Sequence, residues 1–82
     1  MSLDDLQRAW ELLQEAYQAQ MEGDYARAVE LYELAVEQAP VPSRHTAAAL
    51  MAMAEIYEER GDTQTALELL KQALAARTGT TA

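Results

Sequence analysis

Apolar residues return every three to four positions in four separate stretches of this chain, the period of an α-helix with a buried face. The first stretch runs from about Leu3 to Glu22, with Leu6, Ala9, Leu13, Ala16 and Tyr17 at helical spacing. Ser2 and Asp5 form a capping pair at its start, and Gly23 closes it, since glycine accepts the left-handed conformation that ends many helices. Asp24 caps the second stretch, which runs to about Ala39 with Ala28, Leu31, Tyr32, Ala35 and Val36 on its apolar face. Pro40-Val41-Pro42 stops it, because proline cannot continue a helix and restricts the residue before it. Ser43 caps the third, to about Arg60; Gly61-Asp62 repeats the earlier Gly-Asp turn; the fourth runs from Thr63 to Arg77. No segment alternates as a strand would. Turns this short set consecutive helices antiparallel.

A shift of 38 residues lays the second half of the chain on the first. Nine positions are then identical between 9–40 and 47–78: Ala9/Ala47, Leu12/Leu50, Ala16/Ala54, Gly23/Gly61, Asp24/Asp62, Ala28/Ala66, Glu30/Glu68, Leu31/Leu69 and Ala35/Ala73. The Gly-Asp turn falls at the same place twice, with alanines at the same offsets around it. Small residues let two helices cross tightly, so Ala16 is expected against Ala28, and Ala54 against Ala66.

These positions resemble the tetratricopeptide repeat, whose loose pattern sets a Trp, Leu, Gly and Tyr on one helix and an Ala, an aromatic, an Ala and a closing Pro on the next. The first copy places Leu12, Glu15, Ala16 and Ala19, then Ala28, Tyr32, Ala35 and Pro40, on that pattern. The second places Leu50, Met53, Ala54, Tyr57, Ala66, Leu70, Ala73 and Thr78. Glu15 stands where an apolar residue is usual. The period of 38 exceeds the family's 34 and implies a longer loop over Pro40 to Arg44. The resemblance covers about 9–78. It implies an all-α fold of four antiparallel helices forming two stacked helix-turn-helix repeats, a short right-handed α-solenoid. The expected unit is one domain, 1–77, with repeat one over 3–40, repeat two over 43–77 and a flexible tail over 78–82. A plain four-helix bundle is the alternative architecture.

Composition narrows the function. At 82 residues the chain has room for one domain. It lacks cysteine, which removes disulfides, thiolate metal sites and cysteine nucleophiles. The start is acidic, with Asp4 and Asp5, unlike a secretory leader, and no charge-free run approaches the ~20 residues of a membrane span. A cytoplasmic protein is expected. The net charge is −8; residues 1–40 carry nine acidic and two basic side chains, residues 41–82 five and four. Such a surface repels phosphate backbones and anionic membranes, so the expected partner is a protein or peptide of basic or amphipathic character, not nucleic acid or a membrane.

In the tetratricopeptide family the first helix of each pair lines an inner groove that holds the partner, which here points to the first and third helices. The first helix carries more apolar surface than one contact needs. Leu12, Ala16 and Ala19 serve the second helix; Leu3, Leu6, Trp10, Leu13, Tyr17 and Met21 face the third helix, a ligand or another chain. The third helix is apolar all round from Ala47 to Ala54 and then acidic. A groove follows, with Trp10, Leu13, Tyr17, Met21 and Met51 as its apolar part and Glu55, Glu58 and Glu59 as its acidic end. It suits an amphipathic peptide or helix bearing Lys or Arg. The competing reading puts Trp10 and Tyr17 in the core. Some relatives grip a C-terminal carboxylate with Lys, Arg and Asn; Leu13, Tyr17, Met51 and Glu55 are the wrong chemistry for that.

The fourth helix is also apolar over a wide arc, and Leu67, Leu70 and Leu74 form a candidate self-association face. A homodimer, a longer array or a closed bundle would each cover it. No catalytic or cofactor chemistry is expected. The single histidine, His45, reads as a surface residue. Glu58 and Glu59 are adjacent and diverge, no Glu-x-x-His pair exists for a di-metal site, and Gly23, Gly61 and Gly79 are isolated. The reading is therefore a protein-interaction module; the alternative is a structural or self-associating homodimeric repeat unit, natural or engineered, without a ligand.

Overall fold

The computed structural model describes residues 3–38 and 44–78. Four helices occupy them: α1 (Leu3–Met21), α2 (Tyr25–Gln38), α3 (Arg44–Glu59) and α4 (Thr63–Thr78). No strand occurs among the described residues. α1 and α3 end one residue earlier than the hydrophobic period suggests, and α4 reaches one further, to Thr78. Ser2, the Pro40-Val41-Pro42 stop, the Ser43 cap and the tail beyond Thr78 lie outside the described residues.

The two Gly-Asp turns are built alike, bond for bond. Gly23 N–H donates to the Gln20 carbonyl at 3.0 Å, and Asp24 N–H reaches back to the Ala19 carbonyl at 2.9 Å. In the second repeat Gly61 N–H donates to Glu58 at 3.0 Å and Asp62 N–H to Tyr57 at 2.9 Å. This is the Schellman closure, which satisfies the last helical carbonyls and needs a left-handed residue. Gly23 and Gly61 supply it at φ +85° and +87°. The aspartates then start the next helix. Asp24 Oδ1 accepts from Arg27 N–H at 3.3 Å, and Asp62 Oδ1 from Thr65 N–H at 3.2 Å. Each aspartate thus ends one helix and caps the next within a single residue.

The alanines expected at the crossings are all buried: Ala16, Ala28, Ala54 and Ala66. One core cluster joins Leu12, Leu13, Ala16 and Ala19 of α1 with Ala28, Leu31, Tyr32 and Ala35 of α2, with Ala49, Leu50, Met53 and Ile56 of α3, and with Ala73 of α4. Ile56 is the largest side chain sealed completely. The helices pack as α1 on α2 and α3 on α4, with α3 laid against the first pair. No Cα of α4 comes within 8 Å of α1 or α2 among the described residues. A closed four-helix bundle would make α1 and α4 neighbours, so that alternative is excluded. Two stacked helix-turn-helix repeats form an open slab of 36 × 29 × 13 Å. No described helix is long and apolar enough to cross a membrane.

Candidate functional groove

α1 and α3 run in the same direction along one side of the slab. Trp10, in the middle of α1, meets His45 at the start of α3 with ring centroids 5.8 Å apart in a T-shaped arrangement, and Gln20 and Glu55 line the groove further along. Between the two helices lies a groove of about 540 Å³. Trp10, Leu13, Gln14, Tyr17 and Gln20 line it from α1, Ala48, Met51, Ala52 and Glu55 from α3, and Tyr32 from α2 below.

Of the residues expected to form a partner site, the groove gathers Trp10, Leu13, Tyr17, Met51 and Glu55. Leu13 belongs to the core and forms the floor. Trp10 and Tyr17 are 50% and 60% exposed, which removes them from the core and sets them as walls. Met21, Glu58 and Glu59 are exposed but stand outside the lining. Met21 lies within about 40° of Tyr17 around α1, and Glu58 and Glu59 about 60° and 40° to either side of Glu55 around α3, but each is about a turn further along its helix, roughly 5 Å past the groove.

The groove also holds residues that periodicity did not single out. Tyr32 belongs to α2, whose apolar face serves the α1 contact, yet its ring reaches the groove floor. Its hydroxyl donates to Gln20 Oε1 at 2.7 Å. Burial raises the Tyr32 pKa above its ordinary value, and the nearby Tyr17 and Glu55 raise it further. Four polar groups therefore gather at this end of the trough: the Tyr17 and Tyr32 hydroxyls, the Gln20 amide and the Glu55 carboxylate. His45 is half-buried against Trp10, where the sequence suggested a plain surface residue. No sequence signal pairs the two, because the contact depends on how α3 docks.

α3 works on both of its sides. Leu50, Met53 and Tyr57 line a second crease, of about 490 Å³, against Glu33, Val36 and Glu37 of α2 and Thr65, Leu69 and Gln72 of α4. Met51 belongs both to the groove and to a small hollow beside Leu70, Ala73 and Leu74. The expected self-association leucines are open: Leu67, Leu70 and Leu74 are 52%, 42% and 62% exposed. Among the described residues no cluster of three or more His, Asp or Glu side chains is arranged to hold a metal ion.

The tetratricopeptide repeat family model matches residues 12–79. No curated protein and no solved structure matches the chain significantly.

Proposed function

Because the chain belongs to the tetratricopeptide repeat family, whose repeats generally mediate protein–protein interaction, we propose that it is a non-catalytic binding module that holds an amphipathic peptide or helix in the α1–α3 groove. The observation that carries this reading is the placement of Trp10, Tyr17 and Met51. Three large apolar side chains stand exposed around one trough, and aromatic and Met side chains are the types that anchor interfaces. A buried floor of Leu13 and Tyr32 lies beneath them, so a bound side chain meets a prebuilt surface.

The charge of the partner follows from the far end of the groove. Glu55 lines it, and Glu58 and Glu59 continue beyond it in the last turn of α3. Carboxylates there sit at the negative end of the helix dipole, where a nearby cation is stabilising. A Lys or Arg on the ligand would occupy this end while its apolar face rests between Trp10 and Met51, with Met21 at the rim. The Gln14 and Gln20 amides offer hydrogen bonds and no charge.

The test is a titration followed by Trp10 emission, the chain's one tryptophan. The probe is a synthetic helical peptide with leucines on one face and lysines flanking it. Saturable binding that weakens with salt, and weakens several-fold in Glu55→Gln, supports the reading. A response of equal strength to the same peptide with Glu in place of Lys would overturn the charge assignment, and no response to either would overturn the groove.

A further inference from the structure

The first repeat contains a socket that α3 fills, and the second repeat presents the same socket unfilled. The register of 38 makes the comparison residue by residue. Leu13, Tyr32 and Val36 of the first repeat correspond to Met51, Leu70 and Leu74 of the second. Leu13 and Tyr32 are buried in one cluster with Ala49, Leu50, Met53 and Ile56 of α3, and Val36 packs against that cluster. Their counterparts Met51, Leu70 and Leu74 are exposed and border a hollow of about 210 Å³ floored by Ala73.

The outer face of α1 is built in the opposite sense. α3 enters its socket through Ala49, Met53 and Ile56, all buried. The same register positions on α1 are Glu11, Glu15 and Gln18, all exposed. Seating α1 of one copy in the open socket of another would bury two carboxylates against Leu70 and Leu74, a desolvation cost that the apolar α3 does not incur. Head-to-tail stacking is disfavoured by that chemistry, and socket-to-socket pairing is not.

Spacing favours the second arrangement. Leu67, Leu70 and Leu74 follow a three-then-four spacing, the seam of a packed helix pair. Centred on Leu70, that spacing reads nearly the same in both directions. An antiparallel pair of α4 helices sets Leu70 against Leu70, and Leu67 of one copy against Leu74 of the other. Among pairings of like with like, the charge distribution picks out the same helix. α1 carries Asp4, Asp5, Glu11 and Glu15 against Arg8; α2 carries Glu30, Glu33 and Glu37 against Arg27; α3 carries Glu55, Glu58 and Glu59 against Arg44. α4 alone reverses the balance, with Glu68 against Lys71 and Arg77. Of the pairings that join the same helix of two chains of net charge −8, α4 with α4 repels least.

We infer that the protein is a two-fold homodimer joined through antiparallel α4 helices, with Leu67, Leu70 and Leu74 forming the seam and Met51 at its edge. Such an interface uses the same patch on both copies and therefore closes at two. It leaves Trp10 and Tyr17 open, so each copy keeps its groove.

Light scattering on the full chain across a tenfold dilution series reads the mass directly. The expected value is twice 9.1 kDa, shifting toward the monomer on dilution. Leu70→Gln with Leu74→Gln should give a monomer with unchanged helical circular dichroism, while Trp10→Ser should stay dimeric. A single Leu70→Cys variant, at the position that faces itself across the two-fold in a chain otherwise free of cysteine, supplies a second, covalent readout. Under a mild oxidant it should convert to one covalent dimer, whereas Glu15→Cys should not. A wild-type mass of one chain at every concentration would overturn the inference and assign the socket to a helix from elsewhere. A mass growing past two chains, or a dimer abolished by Trp10→Ser but not by the leucine variant, would also overturn it. The groove reading is probed separately by peptide titration, so the two can fail independently.

Discussion

The hydroxyl of Tyr32 hydrogen-bonds to Oε1 of Gln20 at 2.7 Å, tying the middle of α2 to the last turn of α1 directly under the groove. The Tyr32 ring is buried in the core cluster, while Gln20 is only partly buried and keeps access to water. Tyr32→Phe keeps the ring and removes one hydrogen bond whose partner can be rehydrated. The expected cost is about 1 kcal/mol, the net worth of such a bond, read as a lower midpoint in urea with an unchanged slope.

Alkaline titration should single out the same residue. The folded chain holds the Tyr32 proton more tightly than the unfolded chain, through burial first and then Tyr17 and Glu55. The stability this contributes is complete below pH ~10, the ordinary tyrosine value, and is lost as pH rises through the higher folded value. Melting temperatures measured from pH 9 to 11.5 should fall more steeply in the wild type than in Tyr32→Phe. Tyrosinate absorbance should show one of the four tyrosines ionising late. Parallel melting curves for the two proteins would show that Tyr32 ionises freely.

Trp10 separates a groove wall from a core residue. It is half exposed and touches His45 by its edge. Its emission should be red-shifted and accessible to a soluble quencher. Trp10→Ala should cost about 1–2 kcal/mol, below the 3–5 kcal/mol of a fully buried aromatic. A larger loss would mean that the indole carries core packing.

The limits of sequence reading here are geometric. The Gly-Asp turns and the crossing alanines were legible because each demands a residue type: a left-handed backbone needs glycine, and a close crossing needs a small side chain. The wide arc of α1 announced a second contact beyond α2, and α3 provides it. Helical period reports the angle of a residue around its axis, not how far along the axis a neighbouring helix extends. Met21, Glu58 and Glu59 lie within about 60° of the groove-lining direction and still fall beyond the groove. Tyr32 was missed because it joins the site from a helix face assigned to the α1 contact, and the contact of His45 with Trp10 because only the docking of α3 on the first pair brings the two rings together. Glu15 looked like a departure from the repeat; in the fold it is an exposed carboxylate where its counterpart Met53 is buried.

The turn glycines should respond to strain and not to crowding. A Cβ built on Gly23 or Gly61 meets nothing within 4 Å, yet both residues have positive φ. Gly23→Ala and Gly61→Ala should each cost about 1–2 kcal/mol, the left-handed penalty for an L side chain. Asn at either position should recover part of the loss. The two turns share no hydrogen-bond partner, so the double variant should lose the sum in denaturant melts. A cost near zero would mean that the turn relaxes to negative φ.

The polar face of α1 should be what prevents open-ended growth. Glu11, Glu15 and Gln18 occupy the positions through which α3, by Ala49, Met53 and Ile56, seats itself on the first repeat. Replacing them with their counterparts (Glu11→Ala, Glu15→Met, Gln18→Ile) gives α1 an entering surface like that of α3. The three positions are exposed, so the folded monomer loses little, and two carboxylates leave a strongly acidic helix. The new surface complements a socket at the other end of the molecule, a head-to-tail match that does not close on itself. The variant should therefore form a ladder of masses that lengthens with concentration, where the wild type stops at two. Adding Leu74→Lys should return it to short species, because a cation then sits in the socket. If the triple variant keeps the wild-type mass at every concentration, the socket does not accept an apolar helix in the manner of α3, and the equivalence between the filled and open sites fails with it.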